Sequence, residues 1–505
     1  MSQTASERYR NAHPRPSVES ALVRRVREVA AERRQARAVS GAKTSMTYGE
    51  LDDRLMVWSD DLRRHGGRPG TVVALGVADP AYLAPAYLAA RAAGLVPLMM
   101  DPHQPAERRD QVLRAARPAL TMRVQDTPEY LPTEFDPRTL PEAAGYVGFT
   151  SGTQGPPKGI VSQEAGVLHF LEWERQLLGL EPGQRVAMIS PPTFEVIFRE
   201  LGLALCGGGE LVVAPAVTRV DPSAVVPWLA DHDVDVVHVV PSLAARWAAA
   251  AQHRRADRLR WTLFAGEPLH SHHVEVWRAV APDARVINLY GPSETTLAKF
   301  WYAVPPNPTP GPQPAGRPLP QTRLRQLPLR SADEPGGGAS FQVAIETPYG
   351  SLGYLDGTAT EADHAALRRT AGLTTFTSQD IGELDESGNL VIKGRTDSQV
   401  KRRGVFVDLA AIEQAAIAQP SVRLACCFQL APDAGGTVVL ALETDGELPL
   451  AELRQHLRRQ LGPQSPDEFR LVERIPLNPN GKIDRRELLG RLTGTGRQEE
   501  RTTSH

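Results

Sequence analysis

The chain has 505 residues, 41% of them hydrophobic, with formal net charge −2 and a pI near 6.7. That length supports two or more cores, and the near-neutral balance gives no reason to propose nucleic acid or an anionic membrane as partner. Three cysteines, two of them adjacent at Cys426 and Cys427, exclude a disulfide framework and a CxxC metal site, and no apolar run is long enough to span a bilayer.

Residues 1–17 are polar and carry no apolar signal region, so a cytoplasmic location is expected. Residues 20–38 are rich in Ala, Arg, Glu and Val at helical spacing, and a second helical stretch follows Met46-Thr-Tyr-Gly-Glu-Leu51. Residues 71–77 read as a buried strand, 81–93 as a helix, and 95–102 as the next strand with its exit turn. The alternation continues through strands at 185–189, 210–214, 234–240, 261–264 and 285–289. It indicates an α/β protein with layered, mostly parallel sheets. Residues 303–340 are rich in proline and contain Gly336-Gly-Gly338, which predicts loops and short strands. Beyond Gly394-Arg-Thr-Asp397 the pattern becomes a smaller α+β unit: a hairpin at 400–407, a helix at 408–418, strands at 424–430 and 437–443, and a helix at 450–461. The resulting division is a core at 1–396, a second domain at 397–492 and a polar, unstructured tail at 493–505.

The richest segment is Tyr146-Val-Gly-Phe-Thr-Ser-Gly-Thr-Gln-Gly-Pro-Pro-Lys158-Gly. Gly152 and Gly155 let backbone N–H groups approach a phosphate, Thr150, Ser151 and Thr153 add hydroxyl donors, and Lys158 adds a mobile charge. The spacing is not that of the GxxxxGK[ST] loop. From Phe149 to Gly159 it resembles the phosphate loop of the adenylate-forming (ANL) enzymes, a superfamily of acyl-CoA synthetases, luciferases and nonribosomal peptide synthetase adenylation domains.

Further motifs occur in the family's order and cover nearly the whole chain. Asn288-Leu-Tyr-Gly291-Pro-Ser-Glu294-Thr-Thr296 resembles its central motif. The resemblance implies Tyr290 stacked on adenine, Glu294 holding Mg²⁺ on the phosphates of ATP, and Thr295 beside the α-phosphate. Ala265-Gly266-Glu267-Pro268 resembles the other adenine-side turn. Asp380 and Arg395, in Ser378-Gln-Asp380-Ile-Gly and Gly394-Arg395-Thr-Asp397, match the groups that hold the ribose; the family usually has Thr-Gly where Ser378-Gln379 stands. Asp397 matches the hinge to a small C-terminal domain that rotates between two half-reactions, with Gly404 as that domain's glycine. Leu477-Asn-Pro-Asn-Gly-Lys482-Ile-Asp-Arg485 resembles the C-terminal motif, whose Asn-Pro-Asn-Gly turn would present Lys482 to the attacking carboxylate and the α-phosphate.

Thr193-Phe-Glu195-Val-Ile-Phe-Arg199-Glu-Leu201 is read as opening a helix beside the acyl pocket. In peptide synthetase adenylation domains an aspartate here holds the substrate's ammonium, and Glu195 stands at that position. A buried carboxylate needs a cation. Two compete for it: a substrate amine, which is favoured, and Arg199, four residues on. The longer arm of glutamate points to a shifted amine, as in a β-amino acid. Position-matching adds Val196, His238, Leu263, Ala265, Leu289, Leu297 and Ala298 as mostly apolar walls.

His270-Ser-His-His273 lacks metal-ligand partners and is read as a solvated helix face; Cys426 and Cys427 are read as core. The expected activity is formation of an acyl-adenylate from ATP–Mg²⁺ and a carboxylic acid, with an amino acid favoured. The acyl group would then pass to the phosphopantetheine of a separate carrier protein, since no Gly-Gly-Asp-Ser-like carrier segment follows Lys482. Nucleic acid and membrane are not expected partners. A coenzyme A ligase and a nucleotide-binding regulator without chemistry are the alternatives.

Overall fold

The computed structural model describes residues 20–150, 157–329, 340–402, 405–419, 421–430, 436–444, 446, 448–478 and 481–493. The polar tail expected from 493 onward lies outside them except for Thr493, which ends the helix Arg485–Thr493. Ser151, Gly152, Thr153, Gly155 and Gly404 also lie outside, as does the tip of the Asn-Pro-Asn-Gly turn at 479–480.

The predicted strand–helix alternation builds two large sheets. In the nine-stranded sheet the strands run in the order Arg317–Pro318, Phe300–Val304, Arg285–Tyr290, Trp261–Ala265, Val236–Val239, Arg185–Met188, Glu210–Val213, Arg37–Ser40 and Ser45–Thr47. From Arg285–Tyr290 to Arg37–Ser40 the pairing is parallel, and antiparallel strands close both edges. Val236–Val239 and Trp261–Ala265 are buried at every position, as parallel strands covered on both faces must be. A seven-stranded sheet holds Val72–Val77, Val96–Met100, Ala144–Thr150 and Lys158–Gln163, and a five-stranded sheet holds Leu373–Leu384 and Leu390–Arg395.

The sequence reading misplaces some edges. The first helix stops at Glu32, because Arg37–Ser40 is claimed by the nine-stranded sheet. Tertiary pairing there overrides the helical composition.

The helices Glu164–Leu178 and Ile197–Gly207 pack at very close range: a Cβ on Gly202 would lie 2.2 Å from Leu171 Cδ1. Any side chain at residue 202 would have to displace the Leu171 side chain, and the contact brings the inner faces carrying Glu174 and Arg199 together.

Beyond Thr396 the chain forms a smaller unit with its own core around Val407, Ile412, Leu440 and Leu457. The hairpin Gln399–Arg402/Val405–Asp408, the helices Leu409–Ile417 and Leu450–Leu461, and the strands Val422–Leu430, Thr437–Thr444 and Glu468–Leu471 match the predicted order. It is seated on the large unit by polar contacts. Arg246, on the helix Pro241–Ala250, donates to Glu443 Oε2 at 3.0 Å and to the Ile475 carbonyl. Glu443 is itself buried and also accepts from Arg423 at 3.2 Å and from the Ile475 N–H at 2.7 Å. Ser242 Oγ donates to the Gly481 carbonyl at 3.0 Å.

Arg423 remains on Glu443 when Arg246 is lost, so Arg246→Ala costs less than a fully orphaned buried charge, about 1–2 kcal/mol. The undocked population should then rise roughly 5- to 30-fold. Limited proteolysis should cut near Thr396–Ser398 correspondingly faster, with the melting of the large unit unchanged. Equal cleavage rates would show that the contact does not hold the units together.

Candidate active site

The C-terminal ends of the parallel strands converge, which is where open α/β sheets bind ligands. Arg185–Met188 leads to Phe194 and Glu195, Val236–Val239 to Ser242, Trp261–Ala265 to Gly266 and Glu267, and Arg285–Tyr290 to Gly291 and Glu294.

Lys482 reaches this convergence from the smaller unit. Its N–H donates to Asn478 Oδ1 at 3.1 Å and its carbonyl accepts from the Asn478 N–H at 2.7 Å, closing a tight loop. The ammonium lies 5.7 Å from the centre of the Phe194 ring. Gly266 has φ +92°, and a Cβ there would sit 3.2 Å from Lys482 Cε, so the bare turn makes room for the lysine. Burial pulls the Lys482 pKa down, while Glu267 and Glu195 hold its charge.

Asp380, expected on the ribose, is buried and accepts from Tyr290 Oη at 2.5 Å and from Arg395 at 3.1 Å. Burial, followed by this carboxylate, pushes the Tyr290 phenol well up. The departure at Ser378-Gln379 leaves the strand Leu373–Leu384 unbroken, because Ser378 Oγ accepts the Asp380 N–H at 3.0 Å and donates to Val343. Arg395 also grips both oxygens of Asp397 at 2.8 Å.

Glu294 is pushed up by burial, and its Oε1 accepts from Tyr354 Oη at 2.9 Å. A carboxylate is the ligand type that a hard cation takes, so Glu294 would fit Mg²⁺ and the cation would supply charge neutralisation there. Lys158 pairs with Asp363 at 2.6 Å. Thr150 ends its strand opposite Lys158, and Pro268 closes the turn after Glu267.

Glu195 is not the start of the helix, which begins at Ile197; it stands in the turn before it. The residues before it form turns, with the Ile197 N–H on the Phe194 carbonyl at 3.0 Å and the Phe198 N–H on that of Glu195 at 3.2 Å. Glu195 Oε1 accepts from Tyr146 Oη and from the Leu297 N–H at 3.0 Å, leaving Oε2 without a hydrogen bond among the described residues. The Leu297 amide is aimed by two consecutive left-handed residues, Thr296 (φ +60°) and Leu297 (φ +59°), an arrangement that stores strain. Lys299 is fully buried and donates to the Thr296 carbonyl at 2.5 Å, bracing that loop.

The competing Glu195–Arg199 ion pair, the less favoured of the two expected partners, does not form among the described residues. Arg199 instead lies over the Phe170 ring at 4.9 Å. Four expected wall residues, Val196, His238, Leu263 and Ala265, do line a cavity of about 470 Å³, and Leu289, Leu297 and Ala298 are packed into the core behind it. His238 is not a free imidazole: its Nε2 bonds to Glu174 Oε1 at 2.8 Å, deep in the core. Two polar side chains are turned inward to hold backbone. Asn288 donates to the Pro314 carbonyl at 2.8 Å, and the Thr295 hydroxyl donates to that of Pro292 at 2.8 Å. In that loop the hydroxyl without a partner is that of Thr296.

The solvated reading of the histidine run is wrong. His270 and His273 are buried and His272 is half-buried, because the helix Ser271–Val280 packs this end against the core around Trp277. Burial pushes the pKa of each ring down. Among the described residues no cluster could hold a metal, and no helix is long and apolar enough to cross a membrane. Tyr146, Phe194, Ser242, Tyr354 and Asp363 support the site without having been singled out. Tyr146 and Phe194 stand inside the quoted motifs, and the others carry no local signal.

A converging lysine and the buried carboxylates of Asp380 and Glu294 lie where an adenylate-forming ligase would need them. The AMP-binding enzyme family matches residues 26–139 and 125–355, and the AMP-binding enzyme C-terminal domain matches 411–482; the chain belongs to this family, in the ANL superfamily of adenylate-forming enzymes. It is 28% identical over 513 residues to enterobactin synthase component F of Escherichia coli O157:H7, covering 93% of this chain and 39% of that protein. The zwittermicin A synthase ZmaJ of Bacillus cereus is 25% identical, with 92% and 94% covered. The chain thus spans well under half the length of the enterobactin relative and nearly all of ZmaJ. The fold is shared with the four-domain nonribosomal peptide synthetase AB3403 bound to AMP and glycine (TM-score 0.78, 22% identity, 93% of this chain and 36% of that one). It is also shared with ATP-bound MatB of Rhodopseudomonas palustris (TM-score 0.79, 19% identity, 95% and 100%).

Burial brings the Lys299 pKa down to about 7, against the pull of Glu195. Between that value and about 10.4 the unfolded chain binds a proton that the folded chain does not. Stability from this group therefore rises with pH across that window and is flat below it. In denaturant titrations at pH 6.5 and 9.5, Lys299→Met should remove a rise of about 1–3 kcal/mol. An identical rise in both proteins would assign the pH dependence elsewhere.

Proposed function

We propose that the chain activates an amine-bearing carboxylic acid as its adenylate and passes the acyl group to the phosphopantetheine thiol of a separate carrier protein. The observation that carries the amine is Glu195. One oxygen is pinned by Tyr146 and Leu297, the other accepts no hydrogen bond among the described residues, and Phe194 and Val196 on either side of Glu195 line the cavity. An ammonium there would anchor the acid with its carboxylate toward Lys482.

In the first half-reaction a substrate carboxylate oxygen bonds to the α-phosphorus of ATP and the bond to pyrophosphate breaks. Lys482 places a positive charge where the carboxylate and the α-phosphate meet, and Asp380 with Arg395 would hold the ribose. Mg²⁺ on Glu294 would supply charge neutralisation on the phosphates. In the second half-reaction the thiol sulfur bonds to the acyl carbon, AMP leaves, and the thiol proton is lost. The carrier thiol is supported by relatives named as synthases, enterobactin synthase component F and zwittermicin A synthase ZmaJ. The fold alone does not select it, since an anthranilate CoA ligase shares it at TM-score 0.79.

ATP–pyrophosphate exchange tests the first half-reaction, with each acid paired with its des-amino analogue. Lys482→Ala should lower exchange by about 10²–10³-fold. Glu195→Gln should cut the preference for the amine by about 10- to 100-fold. Preference unchanged in Glu195→Gln would end the amine assignment, and unchanged exchange in Lys482→Ala would remove the lysine from the chemistry. Comparing a phosphopantetheinyl carrier with coenzyme A as acceptor tests the second half-reaction.

A further inference from the structure

The loop that delivers Lys482 lies in a seat made by two parts of the large unit: the start of the helix Pro241–Ala250 and the turn after Trp261–Ala265. Ser242 Oγ donates to the Gly481 carbonyl at 3.0 Å. A Cβ on Gly481, φ +79°, would lie 3.0 Å from Leu243 Cδ2, so the loop backbone packs directly on that helix. A Cβ on Gly266 would meet Lys482 Cε at 3.2 Å and Nζ at 3.6 Å, which puts the ammonium against the backbone of the turn.

Glu267, the next residue, joins the two parts of the seat. Its Oε2 accepts from the Ser242 N–H at 3.3 Å. That N–H lies in the first turn of its helix, where no intrahelical partner exists and negative charge is favoured. The carboxylate is thus anchored by the large unit alone. Burial pushes its pKa up, and Ser242, Lys482 and the Ile483 N–H pull it back.

Three charged groups face the Lys482 ammonium. Glu267 holds its charge most strongly, Glu195 adds to this, and Arg395 opposes both. Glu195 is bonded to Tyr146 and Leu297, and Arg395 to Asp380 and Asp397. Of the three, Glu267 alone is bonded to the seat on which the lysine rests.

We infer that Glu267 is a positioning residue for adenylate formation: it keeps the Lys482 ammonium charged and set against Gly266, and it acts only through that lysine. No bond to substrate is made or broken at Glu267. The inference rests on the reading that Lys482 supplies positive charge where the carboxylate and the α-phosphate meet.

Two measurements on the full chain test it. Competitive labelling with acetic anhydride from about pH 6 to 11, read at Lys482 by peptide mass spectrometry, needs no substrate. Loss of the charge in Glu267→Gln should move the labelling midpoint of Lys482 to lower pH, and Glu267→Asp should move it less. Glutamine keeps an acceptor for Ser242, so melting and cleavage near Thr396–Ser398 should match the wild type. An unmoved midpoint, or a moved one with faster cleavage that traces it to undocking, would overturn the inference.

The second measurement is pyrophosphate exchange, with the acid of the paired panel that the wild type activates best. Glu267→Gln should lower kcat by about 10- to 100-fold, leave KM for ATP unchanged, and bring the alkaline limb to lower pH. Added to Lys482→Ala it should cost nothing more. A further loss in the double variant would show Glu267 acting apart from the lysine and overturn the inference. Exchange lost in Lys482→Ala but intact in Glu267→Gln removes the inference alone. Exchange intact in Lys482→Ala removes the lysine reading and the inference with it.

Discussion

The site depends on one carboxylate oxygen. Glu195 Oε1 is shared by a hydroxyl from the seven-stranded sheet, Tyr146, and an amide from the loop after Arg285–Tyr290 in the nine-stranded sheet, Leu297. Two sheets that are hydrogen-bonded separately are therefore tied at this point, as they are at Glu294, which accepts from Tyr354 of the seven-stranded sheet. A bond of this kind to a charged acceptor contributes more than a neutral one and leaves two orphaned donors if it is lost. The same tie fixes the turn before Ile197, holds the strained Thr296–Leu297 pair in place, and aims the remaining oxygen of Glu195.

Around that point the charges are arranged in depth. Lys482 and Glu294 lie on the side of the nucleotide motifs, and Arg199, Lys299 and Glu174 lie in the core behind the acid cavity. Glu195 stands between the two groups and interacts with both. Burying so many ionisable groups sacrifices stability relative to an apolar filling. The cost is limited by Tyr146, Ser190, His238 and the Thr296 carbonyl, each of which satisfies one of them.

The order of strands and helices was legible because α/β alternation is a local property of composition and period. The short apolar runs read as strands at 234–240 and 261–264 are the covered strands Val236–Val239 and Trp261–Ala265, and the small unit's helix at 450–461 was placed to the residue. The nucleotide motifs were legible for the same reason: glycine, hydroxyl and charge sit close together in the chain. Contacts made across the fold were not. Nothing near Glu174 announces that the Gly202 crossing will bring it to Arg199, and nothing in Tyr354 or Asp363 announces Glu294 or Lys158. The histidine run failed from the opposite cause, since polar residues at a helix start look solvated until tertiary packing covers them.

Arg395 spans two functions with one side chain. It donates through Nη1 to the buried Asp380 and through Nε and Nη2 to Asp397, where the smaller unit begins. A guanidinium has a fixed planar fork, so it cannot follow one carboxylate without changing its angle to the other. A displacement of either carboxylate is therefore felt at the other through Arg395, and any free energy carried that way is reciprocal: what a shift at Asp380 lends to Asp397, a shift at Asp397 returns.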